Sequence, residues 1–450
     1  MKTINYVLLL IGMVGFTTCS PKNTDVEPVE KAPVKIWDKT FGGNENDSGE
    51  SIIQTTDGGF LIIGYSFSDI SGDKTEKNRG SADFWVIKIN SQGNKIWDKT
   101  FGGNSFEIVT SCTATSDGGF AIVGPSSSNI SNEKTEKARG YQDYWVIKFD
   151  NNGKKIWDKT LGGDIESTNI PSSIISTLDG GLIIGGTSNS KSANEKTENS
   201  VYDDLWIVKL DSKGQKIWDK TFGDKNQIEH FISITSTNDE GFIFAGFFNS
   251  SPTNTEYKIS KINNQGQKLW DKKFTTNRII GQSPTEKLPI IIYPDGSFIL
   301  VGNSKIGILG DKTEVNRGKE DIWMIRVNSL GEKIWDKTLG GIENEFPFDV
   351  INTSDGGFII SGISYSGISG DKTETSKGEW DYWIVKVNEN GQKVWDKTLG
   401  GNDLDWSHSI ISTSDGGLMV AGVSFSNTSG DKTDVSKGSS DYWLVKLGFQ

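Results

Sequence analysis

Gly93-Asn94-Lys95-Ile96-Trp97-Asp98-Lys99-Thr100-Phe101 is the stretch that decides the fold, because its Trp-Asp-Lys core returns at Trp37, Trp157, Trp218, Trp270, Trp335 and Trp395. The spacings are 60, 60, 61, 52, 65 and 60 residues, a period that marks an internally repeated architecture. Two further landmarks keep step with it. Asp-Gly-Gly or a variant starts at Asp57, Asp117, Asp179, Asp239, Asp295, Asp355 and Asp415, and Asp-x-Trp ends at Trp85, Trp145, Trp206, Trp323, Trp383 and Trp443. In the fourth unit Tyr257-Lys258-Ile259 stands where Asp-x-Trp would be.

Within the first unit, Ser51 to Thr55, Phe60 to Tyr65, Asp83 to Ile89 and Lys95 to Phe101 read as four strands, A to D, rich in β-branched and aromatic residues. Thr56-Asp57-Gly58-Gly59 and Ser91-Gln92-Gly93-Asn94 read as tight turns. Phe60-Leu61-Ile62-Ile63 is apolar on consecutive residues, so both faces of its sheet need covering, as blades stacked face to face would provide. The expectation is an all-β, seven-bladed β-propeller of four antiparallel strands per blade over residues 35–450. The repeats open with a lone D strand, Lys35 to Phe41, and close with a lone C strand, Asp441 to Leu447. Pairing the N-terminal strand with the C-terminal one would close the ring and remove its edges.

Gly-x-x-x-Trp, at Gly93, Gly153, Gly214 and Gly391, with the following Asp-Lys and the upstream Asp-Gly-Gly, resembles the repeats of secreted bacterial β-propeller proteins. It is more distantly similar to the tryptophan-docking repeats of quinoprotein-type propellers. That second resemblance would imply eight blades, a vicinal cysteine pair and a calcium-bound aspartate. Seven units and a single cysteine after residue 19 do not carry quinone chemistry over, and no cofactor or metal is expected.

Residues 1–19 combine Lys2, an apolar run from Tyr6 to Phe16 and a small polar close, a segment too short to remain as a membrane span. Cys19 at its end resembles the lipobox cysteine of bacterial lipoproteins, which would be lipidated; an ordinary secretory signal cut nearby is the alternative. Residues 20–34, with Pro21, Pro28 and Pro33, read as a disordered tether. The expected location is therefore outside the cytoplasm, as an outer-membrane or cell-surface lipoprotein of a Gram-negative bacterium, with periplasmic or secreted forms as alternatives. Contact with a membrane would come only through lipid on Cys19. Cys112, in a predicted inner strand, would be a buried inert thiol.

The chain is acidic, with 47 Lys plus Arg against 59 Asp plus Glu and a net charge of −12, and only five of the cations are Arg. Nucleic acid is excluded as a partner, since phosphate and base readers are scarce. Two histidines, His230 and His408, cannot supply a repeated metal or catalytic site.

Thirteen of 15 tryptophans belong to the repeats and read as packing residues, leaving Trp380 in a B to C loop and Trp406 in a D to A connection. Phe346 occupies the place of Trp406 one unit earlier. On a propeller these connections share a face, so the three rings would form a cluster that stacks on sugar rings or merely covers loop backbone. The B to C loops, Asp73 to Glu76, Glu133 to Glu136, Glu195 to Glu198, Asp311 to Glu314, Asp371 to Glu374 and Asp431 to Asp434, read as self-bonded loops rather than calcium sites. The D to A connections carry Glu50, Glu107, Glu166, Glu229, His230, Arg278, Lys287, Glu345, Asp405 and His408 at the expected channel rim. The leading expectation is a non-enzymatic propeller that binds a glycan or protein partner on its long-loop face through Trp380, Trp406, Phe346, His408 and Glu345. A polysaccharide hydrolase or lyase using channel-mouth groups such as Glu345 and His408, and a structural envelope protein, are the alternatives.

Overall fold

Seven four-stranded antiparallel sheets make up the fold of the computed structural model, which describes residues 30–224, 227–251, 254–278, 287–305 and 307–449. The expected targeting segment, Cys19 and most of the tether lie outside the described residues. No helix occurs among the described residues. In blade 1 the strands are Asp47–Gln54, Phe60–Ser66, Asp83–Ile89 and Lys95–Phe101, paired in sequence order from the channel outward. Blade 7 takes Asp405–Ser412, Leu418–Ser424 and Asp441–Gly448 from the end of the chain and Val34–Phe41 from its beginning. The closing register runs from Val34 opposite Gly448 to Phe41 opposite Tyr442. Ring closure by the two ends of the chain therefore follows the sequence expectation.

Burial on both faces explains the unbroken apolar strands. Every residue of Asp83–Ile89 is buried. One apolar cluster joins Leu61, Ile63, Phe84 and Val86 of blade 1 to Phe120, Ile122, Trp145 and Ile147 of blade 2, so the core consists of the slabs between blades.

Trp-Asp-Lys, Asp-x-Trp and the Asp-Lys-Thr-Glu loop meet at one carboxylate. Asp98 of Trp-Asp-Lys accepts the indole N–H of Trp85 at 3.0 Å, the amide and hydroxyl of Thr75 at 2.9 and 2.8 Å, and the Lys95 ammonium at 2.9 Å. Burial pushes Asp98 up, but these donors outweigh it and hold its carboxyl below the usual carboxylate value. Glu76 then accepts the Thr100 amide at 3.1 Å and the Lys99 ammonium at 2.8 Å. The long B to C loop is thus tied down on its own outer strand. Asp38 repeats the arrangement across the ring closure, accepting Trp443 and Thr433.

The trailing glycine of each C to D turn has a second task. Gly153, at φ +77°, lies under the Trp97 ring of the preceding blade, where a Cβ would stand 3.1 Å from the ring. Blade 4 departs from the pattern as its sequence suggested: Phe242–Ser251 and Asn254–Ile262 form a hairpin in place of the long loop. Tyr257 fills the tryptophan position and is fully buried. The outer strand Lys268–Arg278 takes in Arg278, which the sequence reading places in a D to A connection.

Candidate functional site: the channel and the aromatic arc above it

The inner strands begin earlier than the sequence suggested, and the reason locates the site. Their pairing slips by one residue between Gly49 and Ser51, Pro171 and Ser173, Phe231 and Ser233, Pro347 and Asp349, and Ser407 and Ser409. Each slip is a β-bulge, and the extra residue is re-aimed. The five bulge residues, Glu50, Ser172, Ile232, Phe348 and His408, line a central cavity of about 560 Å³. Thr110 and Leu288, seven residues before their own landmarks like the other five, complete the ring. Blades 7, 1, 2 and 3 thus present His408, Glu50, Thr110 and Ser172, while blades 4, 5 and 6 present Ile232, Leu288 and Phe348. At this position one side of the ring is polar and the other apolar, although Lys287 and Asp349 also line the cavity from blades 5 and 6 and Ile108 and Ile170 from blades 2 and 3.

His408 is the centre of the polar wall. Its Nδ1 lies 3.1 Å from the Gly49 carbonyl and 3.1 Å from Glu50 Oε2, so two acceptors fix the hydrogen on Nδ1. The ring stacks on Phe348 with centroids 5.3 Å apart. It is 4% exposed, yet Nε2 has no hydrogen-bond partner among the described residues. Burial pushes the Glu50 carboxyl up; the His408 ring, the Lys287 ammonium and the Ser48 hydroxyl more than offset this and hold it at about 2. Asp349 moves the other way. Burial raises it, against the amides of Ile410 and Val350, the Lys287 charge and the Ser409 hydroxyl. Lys287 is the cation of the cavity lining. Cys112 is half-buried beside Ser51 Oγ at 3.2 Å, and burial pushes its thiol to about 12.

Above the channel the aromatic residues form an arc. Phe346 and Trp380 stack with centroids 5.5 Å apart, Tyr365 meets Trp380 at 5.6 Å, and Trp406 meets Phe425 edge-on at 6.2 Å. Phe67 continues the arc into blade 1, touching Tyr65 at 6.1 Å and Phe106 at 6.2 Å. Tyr365, Phe425 and Phe67 are 44%, 37% and 39% exposed. They share one repeat position, ten residues after the landmark, which Ser127, Asn189, Asn249 and Lys305 fill in the other blades. Trp406 lies in the inner strand Asp405–Ser412, not in the connection before it. The six fully buried indoles of Asp-x-Trp each donate to an Asp-hub carboxylate, whereas the buried Nε1 of Trp406 has no partner among the described residues. Phe348 links arc to channel, since it packs with Phe346, Trp380 and Trp406 and also lines the cavity.

Glu345 is placed elsewhere. Its carboxylate is fully buried and accepts the Gly341 amide at 2.8 Å and the hydroxyls of Ser364 and Ser366 at 2.8 and 2.6 Å. Burial raises its pKa against those donors. Asp47, Glu107 and Asp405 fasten the same turn in their own blades. Trp380, Trp406, Phe346 and His408 are thus brought together around Phe348, while Glu345 is not part of the cavity lining. Glu50, Glu229, His230, Glu345, Asp405 and His408 all lie within inner strands rather than in the connections. Tyr365, Phe425, Phe67, Phe348 and Glu50 complete the site. The available signal for them was a non-repeating residue at a repeating position.

These features define a seven-bladed β-propeller with an amphipathic channel, a fold suited to a binding or structural role. No known protein family matches the chain. The regulatory protein FlaEY of Caulobacter vibrioides is 26% identical over 154 residues, a match that takes in 32% of this chain and 16% of that protein. Among solved structures, a protein of unknown function from Dyadobacter fermentans superposes with a TM-score of 0.46 at 11% identity, covering 93% of this chain and 99% of its own. The WD40 domain of Neurospora crassa Pan2 gives 0.41 at 8% identity, covering 90% of this chain and 97% of its own. A GH43 β-xylosidase/α-arabinofuranosidase from a compost microbial metagenome gives 0.32 at 11% identity, covering 61% of this chain and 89% of its own. The fold assignment stands on the strand pairing described above.

Proposed function

We propose that this protein is a non-enzymatic carbohydrate-binding propeller, exported and held at a membrane surface by lipid on Cys19, that takes a glycan on the aromatic arc of blades 6, 7 and 1. The observation that carries the reading is the arc itself. Tyr365, Phe425 and Phe67 replace small or polar residues only on three adjacent blades, where their rings are exposed, Tyr365 against Trp380 and Phe425 against Trp406. A sugar offers an apolar ring face that stacks on exposed aromatic rings of this kind. The three donors engaging Glu345 support binding over hydrolysis through that acid. A glycan array with the wild type, followed by titration of the best ligand against Trp380→Ala with Trp406→Ala, tests the site. Binding should fall at least about tenfold, equivalent to about 1.4 kcal/mol. Unchanged binding by the double variant, or no binding to any glycan, refutes the reading. For the anchor, Cys19→Ala should move the protein from the membrane fraction to the soluble one.

A further inference from the structure

The central cavity divides by chemistry, and the division has a ligand-like logic. Seven residues before each landmark, Ile232, Leu288 and Phe348 form one side and His408, Glu50, Thr110 and Ser172 the other; a serine follows in blades 1, 2, 3, 4 and 7, and Lys287 and Asp349 add charge on the apolar side. A channel serving only as scaffold would be expected to repeat its lining with the blades, as the Asp98-type hub and the Glu345-type turn acid do. The position seven residues before each landmark does not repeat, although the one after it is serine in five blades. The volume of about 560 Å³ lies within the roughly 300–1,000 Å³ of small-molecule sites.

Two side chains on the inner strand of blade 7 are left chemically incomplete. His408, in the cavity wall, has its Nδ1 satisfied and its Nε2 unpartnered; Trp406, two residues earlier in the arc, has its Nε1 unpartnered. Buried indole and imidazole nitrogens ordinarily find partners; these two have none among the described residues but are closed to solvent, so the cavity lining decides what ligand fits. The charges select its type. Glu50 is met by His408 and the Ser48 hydroxyl and Asp349 by the Ser409 hydroxyl and the Ile410 amide, with Lys287 in the same lining, so the carboxylates already have partners within the protein. The cavity offers acceptors, donors and an apolar plate together.

We infer that the channel binds one neutral pyranose ring, its C–H face against Phe348, Ile232 and Leu288 and its hydroxyls toward His408, Glu50 and the serine wall. This rests on the glycan reading and narrows it: the arc holds the following sugars of a chain whose end enters the channel, or the channel takes the free monosaccharide.

The test uses the folded protein with D-glucose, D-galactose, D-mannose and N-acetylglucosamine, each also as a linear tetrasaccharide, measured by titration calorimetry. Ser172→Trp fills the cavity from its polar rim, and Phe348→Ala removes the apolar plate; near-UV circular dichroism checks that each still folds. One of the sugars should bind, with affinity lost at least tenfold in both variants. Binding of the free monosaccharide identifies the free sugar as sufficient, and binding of the tetrasaccharide alone identifies a chain end; both support the inference. A folded Ser172→Trp protein that binds the tetrasaccharide like the wild type, while Trp380→Ala loses it, overturns the channel inference and leaves the arc reading standing. No binding by any of these sugars, with an array that also finds none, overturns both.

Discussion

Changing Asn169 to Asp should make the propeller sensitive to pH at the junction of blades 2 and 3. At the blade junctions the first residue of a C strand, such as Asp83, Asp143, Asp321 or Asp381, meets a side chain from the next inner strand, such as Glu107, Asn169, Glu345 or Asp405. Where that partner is Asn169, its Nδ2 donates to Asp143 Oδ1 at 3.2 Å, and its Oδ1 accepts the hydroxyls of Ser188 and Ser190 at 2.7 and 2.8 Å. In other junctions two acids meet, and Oδ1 of Asp83, Asp321, Asp381 and Asp441 has no donor among the described residues. Burial pushes Asp83, Asp321, Asp405 and Asp47 up to about 6, and the facing acid adds to it. Asn169 therefore does permanently what a protonated acid would do. An acid at position 169 should behave like Asp405, whose rise from 3.8 to about 6 corresponds to about 3 kcal/mol. A raised folded-state pKa means the folded protein holds the proton more tightly. The stabilisation is complete below about pH 4 and is lost as pH rises through about 6. Urea melts of Asn169→Asp should thus match the wild type near pH 4 and fall behind by about 3 kcal/mol at pH 8. Asp405→Asn should change in the opposite sense and gain stability at pH 8. A loss for Asn169→Asp that is equal at both pH values, or a destabilised Asp405→Asn at pH 8, would refute the paired-acid account.

Two other predictions concern the scaffold. Asp98→Ala leaves the Trp85 indole, Thr75 and Lys95 without their shared acceptor and should cost roughly 3–5 kcal/mol, whereas Asp271→Ala, whose partner among the described residues is Lys268, should stay within about 0.5 kcal/mol by the same denaturant melts. Cys112, its thiol pushed to about 12, should resist iodoacetamide at pH 8 and react once denaturant is added; rapid alkylation of the folded protein would contradict its burial.

The fold was legible because its landmarks recur in register and because a lone outer strand at one end matches a lone third strand at the other. The hub was only partly legible: the sequence shows Trp-Asp-Lys, Asp-x-Trp and the Asp-Lys-Thr-Glu loop, but not that Asp98 joins all three. The channel was hidden by a one-residue slip, since a bulge reverses which side chains face inward. Glu50 and Glu345 looked alike as acids near the channel rim. They separate once aligned on the landmark, for Glu345 shares its place with Asp47, Glu107, Asn169, Glu229 and Asp405, whereas Glu50 shares its place with Thr110, Ser172, Ile232, Leu288, Phe348 and His408. A carboxylate or its amide at most copies of a position marks the scaffold; variety at a fixed position marks the site. Tyr365, Phe425 and Phe67 escaped notice for the same reason, being ordinary aromatics until set against Ser127 and Asn189.

The most direct measurement compares two matched double variants in titration with the best array ligand: Tyr365→Ala with Phe425→Ala on the arc, and Ser127→Ala with Asn189→Ala at the same repeat positions on blades 2 and 3. The arc pair should lose at least tenfold in affinity and the other pair less than about twofold. Equal losses, or a loss confined to blades 2 and 3, would contradict the placement of the binding surface on blades 6, 7 and 1.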